Sequence, residues 1–410
     1  STILANAARL GVNFWDTADV YGNGLSEHRI GTFYGKPDGL VVATKVGRAA
    51  ALYPDKYTKG GVRESLEESA RRLCVDSIDL AQLHCVPRDV LEAGEIFGWM
   101  DEIKAEGLIK NWGASVETIA EAEICLEHEG LATLQIIFNI FRQDATEGLL
   151  DKAMERDVGV IVRLPLASGL LSGKYTRDTE FSPTDHRSYN RDGQAFSVGE
   201  TFGGIPFEVG VELADELRGY VPEGQRMSLF ALRWILDHKA VSTIIAGVSR
   251  PDQIGVNAEA GDLPELPQSV HEKLKAFYAE KVRPAIRGQF VGHEQRDVVT
   301  AGQFVDAPGG IVAERGGDRA KTVPAGGEDE TLAGDLEIGA GEREAFGEGA
   351  GGLWRGQRGD PVGFGLCGVF AIADFGHRHD GAGQFFAHDV FEGLAIFRDE
   401  GVEIDNCGDA

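Results

Sequence analysis

Three short apolar runs near the start of the chain each stop on a side chain that carries or moves charge. This repeated ending constrains the fold more than any other feature. Val12-Asn13-Phe14-Trp15 stops on Asp16, and a tight loop then delivers Tyr21. Leu40-Val41-Val42-Ala43-Thr44 stops on Lys45, and Ile78-Asp79-Leu80-Ala81-Gln82-Leu83 stops on His84. Such runs read as buried strands. Parallel strands that each present a titratable group at the C-terminal end are how a βα barrel assembles an active site. A free phenol, with a pKa near ~10, is a poor proton donor at neutral pH. It becomes useful beside a cation that stabilises phenolate. Lys45 is such a cation, and Asp16 a carboxylate able to keep it charged. Taken singly, Asp16 and Lys45 fit an ordinary buried ion pair, Tyr21 a loop aromatic and His84 a core histidine. Three consecutive strand ends together point to an active site.

Strand and helix signals alternate from residue 1 to about 290, with glycine at many turns, the pattern of parallel βα units. Ile3, Leu4, Ala7, Ala8 and Leu10 sit at helical spacing, as do Val62, Leu66, Ala70 and Leu73. Further strands are expected to open at Leu108, Ala132, Val158 and Ser242, which makes seven. A closed (β/α)8 or TIM barrel needs eight. The expectation is therefore an N-terminally truncated barrel, its missing strand ahead of the opening helix and two unpaired edges flanking the gap. Thr176–Gly204 reads as a long polar insertion carrying Phe181, Tyr189 and Phe196.

The motifs GVNFWDTADVYG, VVATKVG and SIDLAQLH together resemble the aldo-keto reductases, NADP-dependent oxidoreductases on a (β/α)8 barrel, over residues 1 to about 290. The resemblance implies that Tyr21 is the proton donor, that Asp16 and Lys45 tune it, and that His84 orients the substrate carbonyl. It also implies NADP as cofactor. The segment from Gly247 to Asn257 resembles the one that grips the 2′-phosphate and adenine. That assigns Ser249 and Arg250 to phosphate, and Gln253 and Asn257 to adenosine. A helix N-terminus with Ser and Arg is an anion site on physical grounds as well, and the chain shows no Rossmann glycine loop. Ser115 and Gln135 match positions that hold the nicotinamide carboxamide, with Val116 where Asn is common. Arg163 stands where many members stack an aromatic on the nicotinamide. It opens an Arg-x-Pro-Leu branch pattern through Leu164 and Leu166. Ser168 and Gly169 follow in the loop expected to hug the pyrophosphate.

A net charge of −26 argues against nucleic acid or an anionic membrane as partner. The five scattered cysteines lack a CxxC pair and read as reduced thiols of a cytosolic protein. No apolar stretch approaches a membrane span. Beyond Phe290 the composition shifts: residues 291–410 hold 26 of the 55 glycines, and 23 acidic against 9 basic residues. Such a segment has little apolar surface to offset chain entropy, so it is expected to be disordered or the product of a wrong reading frame. Its apolar run Leu366–Ala373 is the one candidate for a replacement strand. The His377, His379 and His388 group matches no zinc spacing, so no metal site is expected. The implied function is NADPH-dependent reduction of an aldehyde or ketone to an alcohol in the cytoplasm. Two other readings stay open. One is an NADP-binding regulator like the potassium-channel β subunits, which the intact Tyr21, Lys45 and His84 disfavour. The other is an inactive, incomplete reductase, which the seven-strand count suggests.

Overall fold

A computed structural model describes residues 2–288. The run Leu366–Ala373 and the tail histidines lie outside the described residues. Seven strands form one parallel sheet in chain order, β1 to β7. They are β1 (Phe14–Asp16), β2 (Val41–Val46), β3 (Ile78–His84), β4 (Ile109–Ser115), β5 (Leu131–Ile137), β6 (Gly159–Arg163) and β7 (Val241–Ile244). Twelve α-helices lie before, between and after them among the described residues: α1 (Thr2–Arg9), α2 (Leu25–Gly31), α3 (Lys59–Leu73), α4 (Arg88–Ala93), α5 (Glu95–Ala105), α6 (Ile119–Leu126), α7 (Leu149–Glu155), α8 (His186–Tyr189), α9 (Phe207–Leu217), α10 (Met227–Leu236), α11 (Asp252–Asp262) and α12 (Gln268–Phe277).

The strands are apolar on both faces because helices cover the outside while the curled sheet packs its inside. Val42, Ala43, Leu80, Leu83, Leu134, Val160 and Val162 are all buried. Helix starts follow local chemistry: Thr58 caps α3 by accepting the Gly61 N–H at 3.1 Å, and Thr118 with Glu121 forms a capping box on α6. The helix α4, absent from the reading of the sequence, sits between Pro87 and a left-handed Gly94.

Among the described residues β1 and β7 are the two ends of the sheet, each with one strand neighbour. The two sides meet through helices instead: Asn6 on α1 donates to the Pro251 carbonyl, just ahead of α11, at 2.7 Å. No helix among the described residues is long and apolar enough to cross a membrane.

At one point the sheet leaves no room for a side chain. A Cβ on Gly113 in β4 would lie 2.1 Å from Thr133 Oγ1 and 2.7 Å from the Thr133 carbonyl oxygen in β5. The second atom is backbone, so it cannot swing away. Gly113→Ala is therefore expected to destabilise the fold by about 1–3 kcal/mol, read by urea unfolding. An alanine variant as stable as the parent would show that β4 and β5 can separate there.

Candidate active site

Parallel register brings the three titratable strand ends together at the C-terminal end of the sheet. Asp16 aligns with Ala43 on β2, and Lys45 aligns with Gln82 on β3. His84, Ser115 and Gln135 continue the row across β3, β4 and β5. Lys45 and Asp16 form a salt bridge, both side chains 0 % exposed. The Lys45 ammonium also donates to the Thr17 carbonyl at 3.1 Å and to the Tyr21 hydroxyl at 3.4 Å. Tyr21 lies edge-on to His84, ring centroids 5.8 Å apart at 87°. Asp16 Oδ1 accepts from Gln82 Nε2 at 2.8 Å and from Gln135 Nε2 at 3.0 Å. Ser115 Oγ donates to Gln135 Oε1 at 3.1 Å. Asp16, Lys45 and Tyr21 thus form one hydrogen-bonded constellation with the predicted Ser115–Gln135 pair, and His84 joins it through its ring contact with Tyr21.

Burial raises the Asp16 carboxyl and lowers the Lys45 ammonium, while each partner opposes the shift in the other. The two glutamine donors on Asp16 favour its charged form, so the ion pair persists. Burial and the charges of Lys45, Arg48 and Arg163 hold His84 well below the ordinary 6.5. Its imidazole is therefore neutral at pH 7.

Beside this constellation lies a second one that mostly escaped the sequence. Arg163, 1 % exposed, donates to the Val116 carbonyl at 2.9 Å and pairs with Glu200 from the insertion. Arg48 pairs with Glu117 at 2.6 Å. Cys85 sits among these four, its thiol pushed up by burial to about 12. Cys85, Glu117 and Glu200 bring ligand-type atoms within 4.8 Å of one another. Each carboxylate is already paired with an arginine, so the group reads as paired charges, not a metal centre. Gln82 was not singled out in the sequence, although it shares the His84 face of β3 at the two-residue period, the signal that could have found it. Glu200 had no such signal: it meets Arg163 across 37 residues of irregular chain.

The remaining predicted residues lie in two loops. After β6 the backbone takes positive φ at Leu164 (51°), Ala167 (48°) and Ser168 (54°), conformations that cost energy for side-chain-bearing residues. Leu164 is held by Asn139, which donates to its carbonyl at 2.8 Å. Leu166 precedes the turn, and Ser168 Oγ accepts the Phe202 N–H at 3.0 Å. A Cβ on Gly169 would strike the Tyr175 hydroxyl at 2.3 Å. After β7, Gly247 leads to Ser249 and Arg250, whose N–H groups both donate to Gln253 Oε1, at 2.7 and 2.9 Å. Asn257 is buried one turn further along α11. Arg250 is exposed and leans on Asp252 at 3.2 Å. A cavity of about 350 Å³ opens at the opposite end of β2 and β3, lined by Ile30, Leu40, Val42, Leu73 and Asp79, and shares none of these groups.

Comparisons with known proteins bear on the fold and the family. The uncharacterized oxidoreductase YqkF of Bacillus subtilis is 26 % identical over 294 residues, covering 70 % of this chain and 90 % of that protein. A probable voltage-gated potassium channel subunit beta of Arabidopsis thaliana is 26 % identical over 296 residues, covering 66 % and 84 %. The solved glycerol dehydrogenase of Gluconobacter oxydans superposes with a TM-score of 0.57 at 29 % identity, covering 71 % of this chain and 88 % of that one. The aldo/keto reductase family model matches residues 1–279, and the chain belongs to that family.

Proposed function

We propose that this chain reduces a small aldehyde or ketone with NADPH, Tyr21 supplying the proton. The observation that carries the reading is the Tyr21 hydroxyl 3.4 Å from a fully buried Lys45 that Asp16 holds charged. A cation so placed stabilises the phenolate left behind when the hydroxyl gives up its proton. Neutral His84, edge-on to the same ring, can orient a carbonyl oxygen toward Tyr21 without competing as a strong acid. NADPH, when bound, supplies the hydride. Ser115 and Gln135 offer a hydroxyl and an amide to a carboxamide, and Arg163 a flat guanidinium nearby. The α11 N-terminus fits a phosphate: its Ser249 and Arg250 N–H groups are occupied only by the Gln253 side chain, and the Arg250 guanidinium is exposed. A binding-only role, as the name of the channel subunit suggests for that relative, needs the cofactor loops but not the Lys45–Tyr21 contact. The contact favours the enzyme.

The test is NADPH consumption by the purified chain with a panel of short aldehydes and ketones. Carbonyl-dependent turnover is expected. Tight NADPH binding with no turnover on any carbonyl would leave the binding module instead.

Arg250→Ala separates NADP from NAD. A charge-assisted hydrogen bond contributes about 1.5–3 kcal/mol, so NADPH should weaken by roughly 10- to 150-fold while NADH barely changes. Fluorescence titration reads both. Equal weakening would remove Arg250 from the 2′-phosphate.

A further inference from the structure

The loop that carries Tyr21 rests on a polar layer that the reaction as drawn does not use. Asp19, two residues before Tyr21, is 8 % exposed. Its N–H reaches the Lys45 carbonyl at 3.4 Å, and its Oδ2 accepts Ser65 Oγ from α3 at 3.1 Å. Its Oδ1 is buried without a hydrogen-bond partner. Next to it stands Glu27 of α2, 0 % exposed, which accepts from Thr44 Oγ1 of β2 and from Arg72 Nε of α3, the latter at 2.6 Å. Arg72 also reaches Ser69 at 3.1 Å. Tyr57, in the loop before α3, donates its hydroxyl to the Gly47 carbonyl at 2.8 Å; its phenol is pushed up by burial first, then by Tyr53 and Cys85, and least by Asp19. On the β2 side the Lys45 ammonium is committed to Asp16, Thr17 and Tyr21.

Three carboxyls therefore share one guanidinium: Glu27 holds it at 2.6 Å, the exposed Glu68 lies 3.6 Å from it, and Asp19 is left without a direct pair. Ionised Asp19 is a surplus negative charge in a layer with little water, beside a carboxylate that is already there. Burial first, and Glu27 second, push its carboxyl up to about 7, with Ser65, the Val20 backbone N–H and Arg72 opposing.

We propose that Asp19 is a proton-responsive positioning residue for Tyr21, a strut between the tyrosine loop and α3. Uncharged, it seats the loop on the layer beneath; charged, it repels Glu27 and lets the Tyr21 hydroxyl shift from Lys45. The proposal rests on Tyr21 being the acid, which the Tyr21→Phe variant tests separately. The linkage sign is fixed. A carboxyl whose folded value lies above its ordinary 3.8 contributes stability that is fully present below that value and lost as pH rises through about 7.

The test measures kcat and melting temperature against pH for the parent, Asp19→Asn and Ser65→Ala. The parent should lose kcat as pH rises through about 7, with KM for NADPH unchanged. In Asp19→Asn that limb should vanish, because the amide stays neutral throughout. Ser65→Ala keeps the carboxyl but removes the side-chain donor that favours its charged form, so the limb should move to higher pH. This second variant serves even where Asp19→Asn does not fold. A parent without a limb near neutrality, or a limb unmoved in both variants, overturns the proposal. So does a melting profile that flattens in Asp19→Asn while the kcat limb persists, since Asp19 would then titrate without governing Tyr21.

Discussion

Tyr21→Phe is expected to lower kcat by about 10²- to 10⁴-fold while NADPH binds as before, the usual scale for removing a general acid. The substitution isolates one atom. The ring keeps its edge contact with His84 at 5.8 Å and its place 5.0 Å from Lys45 Nζ. Lys45 stays anchored by Asp16 and the Thr17 carbonyl, so the surrounding geometry survives without the hydroxyl. Ser115, Gln135 and the α11 loop are untouched, which is why cofactor affinity should hold. Single-turnover rates beside a fluorescence titration separate the two quantities. A Phe variant within a few-fold of the parent would take Tyr21 out of the chemistry. A residual rate that disappears with His84 would move proton donation to the imidazole.

The barrel strands were readable because each is a short, mostly apolar run with turn residues on both sides. The expected openings at Leu40, Ile78, Leu108, Ala132, Val158 and Ser242 stand within one residue of the observed starts, and that at Val12 within two. The candidate catalytic group was readable because Asp16, Lys45 and His84 each end or nearly end such a run, with Tyr21 in the loop that follows the first, and parallel register then leaves little freedom in where they go. The insertion reads as polar with three aromatics, and nothing in the sequence shows what those aromatics pack against. Arg187 lies over Phe181 at 4.5 Å and Arg191 over Phe207 at 4.9 Å, so its cations cover an aromatic core. Asn190 fastens the turn by accepting the Ala195 and Phe196 N–H groups, each at 2.9 Å. None of these pairings has a period along the chain, so no pattern announces them. The same holds for Glu200: its partner is chosen by how the insertion folds back over β6, which local spacing does not encode. Asp19 stood in plain view in the tyrosine motif, yet its environment comes from α2 and α3, brought together only by packing.

Asp16→Asn should cost about 3–5 kcal/mol of folding stability, the range seen when one partner of a buried ion pair is removed. Volume is nearly unchanged, so a cavity cannot account for the loss. The reason is donor geometry. Asp16 now accepts on both oxygens, from Lys45 on one and from Gln82 and Gln135 on the other. An asparagine has one acceptor oxygen, so its NH2 must face either the ammonium or the two glutamine amides. Whichever way it turns, Lys45 loses its counter-charge in a site 0 % exposed. Loss of the Asp16 pull lowers the Lys45 ammonium further than burial does already. The pH signature follows. The unfolded chain then binds a proton that the folded variant does not, so the variant gains stability as pH rises toward the ordinary lysine value of about 10.4. Urea unfolding at several pH values reads this. The double variant Asp16→Asn, Lys45→Met decides the cause. With both charges gone no ion is stranded, and the double variant should be more stable than Asp16→Asn alone. If the double variant is the less stable of the two, the stranded ammonium is not what destabilises the single one, and Asp16 would owe its place to its hydrogen bonds with Gln82 and Gln135.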